Sequence, residues 1–297
     1  MSPITEVEGR RVVLRNLDKV IYPASGTTKG ELLHYIAATA EVLLPHVQGR
    51  PVAFLRYPDG PDGQLFFTKN PPPGIPDWVR TAEVPRSEGE TARQVLIQDL
   101  PTLMWAANLV VELHVPMWRI DDGHALADRI VFDLDPGPPA TIVDCCAVAV
   151  WLRERLAADG LDACAKTSGS KGLHLLAPLR PTPSREVSAY AKRLAIEASQ
   201  ALPGLALYQM KRSLRPGKVF VDFSQNAAAK TTAAPYTARA RARPTVSAPV
   251  TWEEVVGCRR PERLEFTIDD MAGRLELHGD LLGPLLDARR AGAVPAP

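Results

Sequence analysis

The sequence predicts an α/β chain of the α+β kind, with mixed sheets flanked by helices, and three observations carry that prediction. From residue 128 onward the order reads strand, helix, strand, strand, helix, strand, which makes a βαββαβ unit of the second half. Upstream, Thr28 and Glu31 form a capping box ahead of an apolar stripe begun by Leu32, Leu33, Tyr35 and Ile36. Finally, 297 residues, 45% of them hydrophobic and 23% charged, suffice for one large domain or two small ones with a proper core.

Taken in order, the first helix should end just before Pro45. "PVAFLRYP" (51–58) and "QLFFTK" (64–69) read as strands, with "DGPDG" as the turn between them and the Pro-rich 70–76 as loop. "LPTLMWAANLVVEL" (100–113) reads as one buried helix and "DRIVFDLD" (128–135) as a strand. A helix over about 141–159 stops at Gly160, and 163–179 is two strands around a Gly-Ser turn. A second helix follows Ser184 and ends before Pro203 and Gly204, and "GKVFVDFS" (217–224) is a further strand. With no internal repeat and no long linker, residues 1–290 are expected to form a single two-lobed domain and 291–297 a frayed tail.

Several classes are excluded. No apolar run approaches the roughly 20 residues that span a bilayer, and the N-terminus lacks a signal-peptide core, so a cytoplasmic protein is expected. Cys145 and Cys146 are adjacent while Cys164 and Cys258 are isolated, which indicates neither a disulfide framework nor a zinc site. Net charge is only +1, yet "YQMKRSLRPGK" (208–218) and "TARARAR" (237–243) are strongly basic. Such local patches can supply phosphate contacts without a high pI, although either alone could be a solvated surface.

The chemistry gathers in three segments. "DRIVFDLDPGPP" ends an apolar strand in Asp133 and Asp135, which alternation places on one face a few ångströms apart. Two carboxylates that close oppose each other's ionisation, and oxygen-liganded magnesium or manganese removes the conflict. Asp, Pro and Gly also favour plain turns, so the motif alone leaves both readings open. "TSGSKGLH" offers Ser168, free Gly backbone, Lys171 and then His174, which suits a phosphate but is also an ordinary hairpin turn. In "KVFVDFSQN", Asp222 interrupts an apolar strand as Asp133 does. Three strand aspartates with a phosphate-type turn describe nucleotidyl transfer on two metals.

"VFDLDPG", "SGSKGLH" and "VFVDFSQN", in that order and spacing, resemble the polymerase domain of bacterial DNA ligase D, in the archaeo-eukaryotic primase superfamily. The resemblance extends from "LRNLDKVIYPASGTTKGE" through "LRYPDG", "FFTKN" and "ELHVPMWR" to "AAAKTTAAPYTARAR", about residues 10–245, with Met117 where the family pattern has Gln. The usual nuclease and ligase modules are not in this sequence, so the stand-alone form of some actinobacteria is expected. The resemblance implies a primase-polymerase fold with an RRM-like catalytic half. It implies two Mn2+ or Mg2+ ions on Asp133, Asp135 and Asp222, and Ser168, Lys171 and His174 on the incoming triphosphate, with Gln225 and Arg239 nearby. Phe66 and Phe67 would stack on bases, as sequence-tolerant binding requires, although core packing is an alternative for them. His114 and Arg56 would approach template or active-site phosphates.

Lys29 opposes the dipole of the first helix, and a bound anion would turn that conflict into a site shared with Lys19 and helix N–H groups. By resemblance the anion is a DNA 5′-phosphate, with Asn16 alongside. Expected partners are DNA gaps or ends and NTP or dNTP, in the nucleoid, with Ku and a separate ATP-dependent ligase as further candidates. The expected activity is template-dependent polymerisation for gap filling and end joining, favouring ribonucleotides. His34, His46, His124 and His278 are read as structural. Two alternatives are a non-catalytic DNA-end-binding module and a haloacid-dehalogenase-like phosphatase, whose D-x-D, however, belongs near the N-terminus.

Overall fold

The computed structural model describes residues 4–85, 90–121 and 125–295. The first part of the chain carries strands β1 (Ile4–Val7), β2 (Arg10–Val13), β3 (Val20–Tyr22) and β4 (Thr27–Thr28), then helices α1 (Lys29–Ala38) and α2 (Ala40–Val47). Strands β5 (Pro51–Arg56), β6 (Phe66–Thr68), β7 (Thr81–Pro85) and β8 (Thr91–Leu96) follow, with helix α3 (Leu100–Ala107) and strand β9 (Val111–Val115). Next come β10 (Leu126–Pro136), α4 (Ile142–Ala158), β11 (Cys164–Thr167), β12 (Leu173–Pro183) and α5 (Ser184–Ala201). The remainder comprises β13 (Ala206–Leu207), β14 (Val219–Asp222), β15 (Thr232–Ala233), β16 (Pro249–Val250), α6 (Trp252–Gly257) and α7 (Met271–His278).

The chain divides into two compact units, each assembled from three segments: Met1–Pro116, Thr231–Ser247 and Phe266–Leu277 in one, and Met117–Lys230, Ala248–Glu265 and His278–Pro297 in the other. The first unit holds a sheet in the order β15-β9-β5-β8-β7, with β6 paired to β5. Helix α1 starts as its capping box dictates: Glu31 N donates to Thr28 Oγ1 at 3.2 Å and Thr28 N to Glu31 Oε2 at 2.7 Å. Two expectations fail here. Helix α1 stops at Ala38, where the Thr39 hydroxyl donates to Tyr35 O at 2.9 Å, and Pro45 lies inside α2 rather than beyond a helix. The helix expected over 100–113 ends at Ala107. Val110 takes a positive φ of 56°, and the chain after it becomes β9, pairing Leu113 with Phe54.

The second unit is the βαββαβ unit, its sheet ordered β13-β14-β10-β12-β11-β16. Strand β10 is antiparallel to both β12 and β14. Its alternate residues Ile130, Phe132 and Leu134 are fully buried, and α4 reaches that side through the Cys145 thiol, which donates to Leu134 O at 3.5 Å. Beyond the β14 pairing, the buried Asn226 side chain substitutes for a strand. Its Oδ1 accepts from Val131 N at 2.9 Å while its Nδ2 donates to Val131 O at 2.8 Å. The tail expected to fray from 291 is docked at Gly292: Arg180 N donates to Gly292 O at 2.8 Å and Gly292 N to Pro178 O at 3.2 Å. Residues 296 and 297, like His124, lie outside the described residues.

Gly172, in the β11–β12 turn, packs directly on the backbone of β10, where a Cβ would collide with the Leu134 carbonyl oxygen. Gly172→Ala should therefore cost about 1–3 kcal/mol by forcing backbone apart. Gly204→Ala, which meets open space, should leave the unfolding free energy within about 1 kcal/mol of wild type.

Candidate functional site

The strand register of the second unit builds one row of polar side chains. Asp133 on β10 stands opposite Asp222 on β14 and opposite His174 on β12, and His174 stands opposite Lys166 on β11. Asp135 shares the face of Asp133 because Leu134, between them, points into the core. The carboxylates of Asp133 and Asp135 remain 28% and 31% exposed, so the row is open to a ligand.

Each carboxylate is answered by a donor. His174 Nε2 lies 3.3 Å from Asp133 Oδ1. Lys171 Nζ is 3.0 Å from Asp135 Oδ1, and Arg215 Nη1 is 3.2 Å from Asp135 Oδ2. Asp222 accepts from Ser224 N at 2.8 Å and from Gln225 Nε2 at 2.9 Å. The structure thus gathers Asp133, Asp135, Asp222, Lys171, His174 and Gln225 as the sequence predicted. Ser168 lies in the same turn, its Oγ accepting from Ser170 N at 3.2 Å and Gly172 N at 3.1 Å, so its oxygen shapes the turn.

Two residues of the row escaped sequence reasoning. Arg215 sits in the basic stretch that signalled phosphate contacts, but nothing in the sequence paired it with Asp135. Its guanidinium stacks on the Phe220 ring at 4.0 Å, and its loop is clamped to the end of β10 by Gly137 N donating to Lys218 O at 2.8 Å and Gly217 N to Gly137 O at 2.9 Å. Lys166 is fully buried and 3.0 Å from His174 Nδ1. Only the sheet register brings it there.

These hard oxygen donors suit Mg2+ or Mn2+ better than a softer ion. Among the described residues no three His, Cys, Asp or Glu side chains close a ready-made cage. Asp135 is turned to Lys171 and Arg215, and Asp222 to Gln225. Asp133, Asp135 and Asp222 are the side chains that would hold such a cation.

The first unit carries the remaining predicted residues in two groups. In one, the buried Glu112 of β9 accepts from Arg239 Nε at 2.9 Å and from Ala240 N at 2.7 Å, with His114 Nε2 at 2.9 Å. Burial pushes the Glu112 carboxyl up, but the His114 hydrogen bond, the Arg239 charge and the Ala240 amide outweigh it and lower its pKa to about 2. His114 in turn meets the Phe67 ring edge-on at 6.1 Å between centroids. Phe66 and Phe67 are 42% and 55% exposed on β6, so neither is core packing. Glu112, which sequence reasoning passed over inside an assumed helix, is the residue that orients this group.

In the other group, a cavity of about 170 Å3 is lined by Asn16, Lys19, Lys29, Arg56 and the chain around Val110. Arg56, expected to approach template or active-site phosphates, lines this cavity, its Nε buried without a hydrogen-bond partner. Burial, then Lys19 and Arg15, lower the Lys29 ammonium to about 8. The helix N–H groups are not free for an anion, contrary to expectation. Lys29 N donates to Lys19 O and Gly30 N to Leu17 O, both at 2.8 Å, and Glu31 N to Thr28 Oγ1. Side chains alone would hold the anion. Of the other histidines, His46 is buried beside the Tyr236 ring, while His34 is exposed on α1.

Glu112→Gln should cost about 3–5 kcal/mol, since Arg239 would be left buried without its anion. The Glu112 pKa is depressed in the fold, so its stabilisation is complete above about 4.5 and fades as pH falls toward about 2. Thermal midpoints measured across that window should fall in wild type and lack this component in the variant.

A family model described as LigD, primase-polymerase domain matches residues 28–282. The chain is 45% identical over 278 residues to the multifunctional non-homologous end joining protein LigD of Mycolicibacterium smegmatis, covering 93% of this chain and 36% of that protein. It is 32% identical over 267 residues to the bifunctional non-homologous end joining protein LigD of Bacillus subtilis, covering 89% of this chain and 42% of that one. The chain therefore spans well under half the length of these curated relatives. A solved polymerase domain from Mycobacterium tuberculosis Ligase D, in complex with DNA, superposes with a TM-score of 0.87 at 43% identity, covering 93% of this chain and 98% of that one. No described helix is long and apolar enough to cross a membrane. By sequence and by fold, the chain belongs to the LigD primase-polymerase domain family, a family of nucleotidyltransferases.

Proposed function

We propose that the chain is a template-dependent polymerase that extends primer strands at DNA gaps and ends during non-homologous end joining, using two Mn2+ or Mg2+ ions and preferring ribonucleotides. The observation that carries this reading is the row of Asp133, Asp222 and Asp135 on one open sheet face, with Lys171 and Arg215 paired to Asp135. A haloacid-dehalogenase-like phosphatase is disfavoured, because β10 lies between antiparallel neighbours and not in a parallel sheet.

In this reading Asp133, Asp135 and Asp222 hold the divalent pair, which when bound supplies charge stabilisation to the attacking and leaving oxygens. Lys171 and Arg215, now on Asp135, are the cations beside an incoming triphosphate, and their release from Asp135 accompanies loading of the site. Gln225 keeps Asp222 oriented, and His174 donates toward Asp133 or a phosphate oxygen in its place. Ser168 is the partner offered to a ribose 2′-hydroxyl. The exposed Phe66 and Phe67 are platforms for bases of any identity. In the first unit, Asn16, Lys19, Lys29 and Arg56 receive a DNA 5′-phosphate. Ku and a separate ATP-dependent ligase are the partners such a role calls for.

Extension of a primer on a gapped duplex tests this directly. Wild type should add nucleotides only with a divalent cation and should favour NTP over dNTP by the order of 1 kcal/mol or more. Asp135→Asn should abolish extension while DNA binding persists. Extension by that variant at the wild-type rate would sink the assignment.

The phosphate pocket has its own pH signature. Lys29 is depressed in the fold, so its penalty on stability is complete below about 8 and is relieved as pH rises from about 8 toward 10.5. Solvent screening keeps that penalty below about 3 kcal/mol, and Lys29→Met should match or exceed wild-type thermal stability at neutral pH. The same variant should lose the preference for a 5′-phosphorylated gap over an unphosphorylated one. In wild type that preference should weaken above about pH 8, where binding must first take up a proton. Titrations of the two duplexes at pH 7 and 9 check both outcomes.

A further inference from the structure

Lys166 has no part in the chemistry proposed above, yet it lies in the same row. We propose that it is a positioning residue that sets which ring nitrogen of His174 carries the hydrogen, and so which atom His174 presents to the carboxylates and to substrate oxygens. The inference rests on the reading of Asp133 and His174 as site residues.

The geometry is specific. Strand pairing sets Lys166 opposite His174 and His174 opposite Asp133, with Asp222 on the far side. Lys166 Nζ is 3.0 Å from His174 Nδ1, and His174 Nε2 is 3.3 Å from Asp133 Oδ1. Lys166 is 0% and His174 4% exposed. Burying an ammonium costs several kcal/mol before its partners repay it, and an apolar side chain would pack this strand without that cost. What the ammonium adds is direction. It has three donors and no acceptor, so the ring nitrogen facing it must accept. A neutral imidazole has one acceptor and one donor nitrogen, so the hydrogen is placed on Nε2, the atom facing Asp133.

The opposite tautomer would turn the Nε2 lone pair toward Asp133 and toward any phosphate oxygen arriving there, and that contact is repulsive. Lys166 therefore does for His174 what a carboxylate or carbonyl does behind a metal-bound histidine, fixing tautomer and ring orientation from the side away from the ligand. Its sign is reversed because His174 must donate toward the anionic side.

The test is 15N NMR of histidine-labelled full-length protein without nucleotide, the His174 signal assigned among six histidines by its loss in His174→Asn. Wild type should carry the ring hydrogen on Nε2. Lys166→Met, close in length and uncharged, should populate the Nδ1–H tautomer and slow primer extension by about 10–100-fold. Lys166→Arg, which keeps a cationic donor, should restore the Nε2–H signal. A wild-type hydrogen on Nδ1, or a Lys166→Met ring that keeps its Nε2 hydrogen, overturns the proposal. Should Lys166→Met fail to fold, Lys166→Gln, whose amide oxygen can accept from Nδ1–H, takes its place with the same outcomes deciding. Failure of wild type to extend any primer would instead overturn the polymerase reading and leave the tautomer result standing.

Discussion

The crowding of Asp133, Asp135 and Asp222 at the end of one apolar strand is the constraint around which the second unit is arranged. Burial of Leu134 forces Asp133 and Asp135 to the same face, and the antiparallel register forces Asp222 beside them. Like charges at that spacing destabilise the fold unless positive groups approach. The hairpin turn delivers Lys171, the clamped loop after β13 delivers Arg215, and β12 delivers His174. Gly172 and Gly137 permit those approaches, since at each a side chain would strike backbone across the gap. The same lysine, arginine and histidine contacts hold the carboxylate row together in this structure.

The first unit solves a parallel problem with opposite sign. Its pockets gather cations, and Glu112 and Asp59 supply the compensating charge. Glu112 is buried and fully bonded, so Arg239 and His114 are fixed in place. Lys19 is held at 2.6 Å by the exposed Asp59, a screened and weaker pair. Lys29 instead has its ammonium drawn down to about 8 by burial and cationic neighbours. A pocket built this way stores unfavourable charge that an anionic ligand relieves.

Family membership narrows the chemistry but does not explain individual residues. The matched stretch is only 36% and 42% of these two relatives, and their names describe whole multifunctional or bifunctional proteins. The fold of this chain decides the pairings: Arg56 lines the lysine pocket, Gln225 bonds Asp222, and Glu112 holds Arg239.

The sequence by itself determined the βαββαβ order, the capping box of α1 and the D-x-D strand, because each depends on neighbours within a few residues: alternation, caps and turns. It also marked Asp133, Asp135, Asp222 and His174, as polar residues in apolar strands, and Lys171, as a cation in a Gly-Ser turn. It could not find β9 inside "LPTLMWAANLVVEL", because a buried helix and a buried strand share the same apolar composition, and only pairing with β5 decides between them. It passed over Asn226, which acts as a strand for Val131 from 95 residues away. It missed Glu112, Arg215 and Lys166 for the same reason. A charged residue's partner is set by strand register and loop docking, which join segments far apart in the chain, and no local pattern encodes which of 35 Lys and Arg residues will meet which carboxylate.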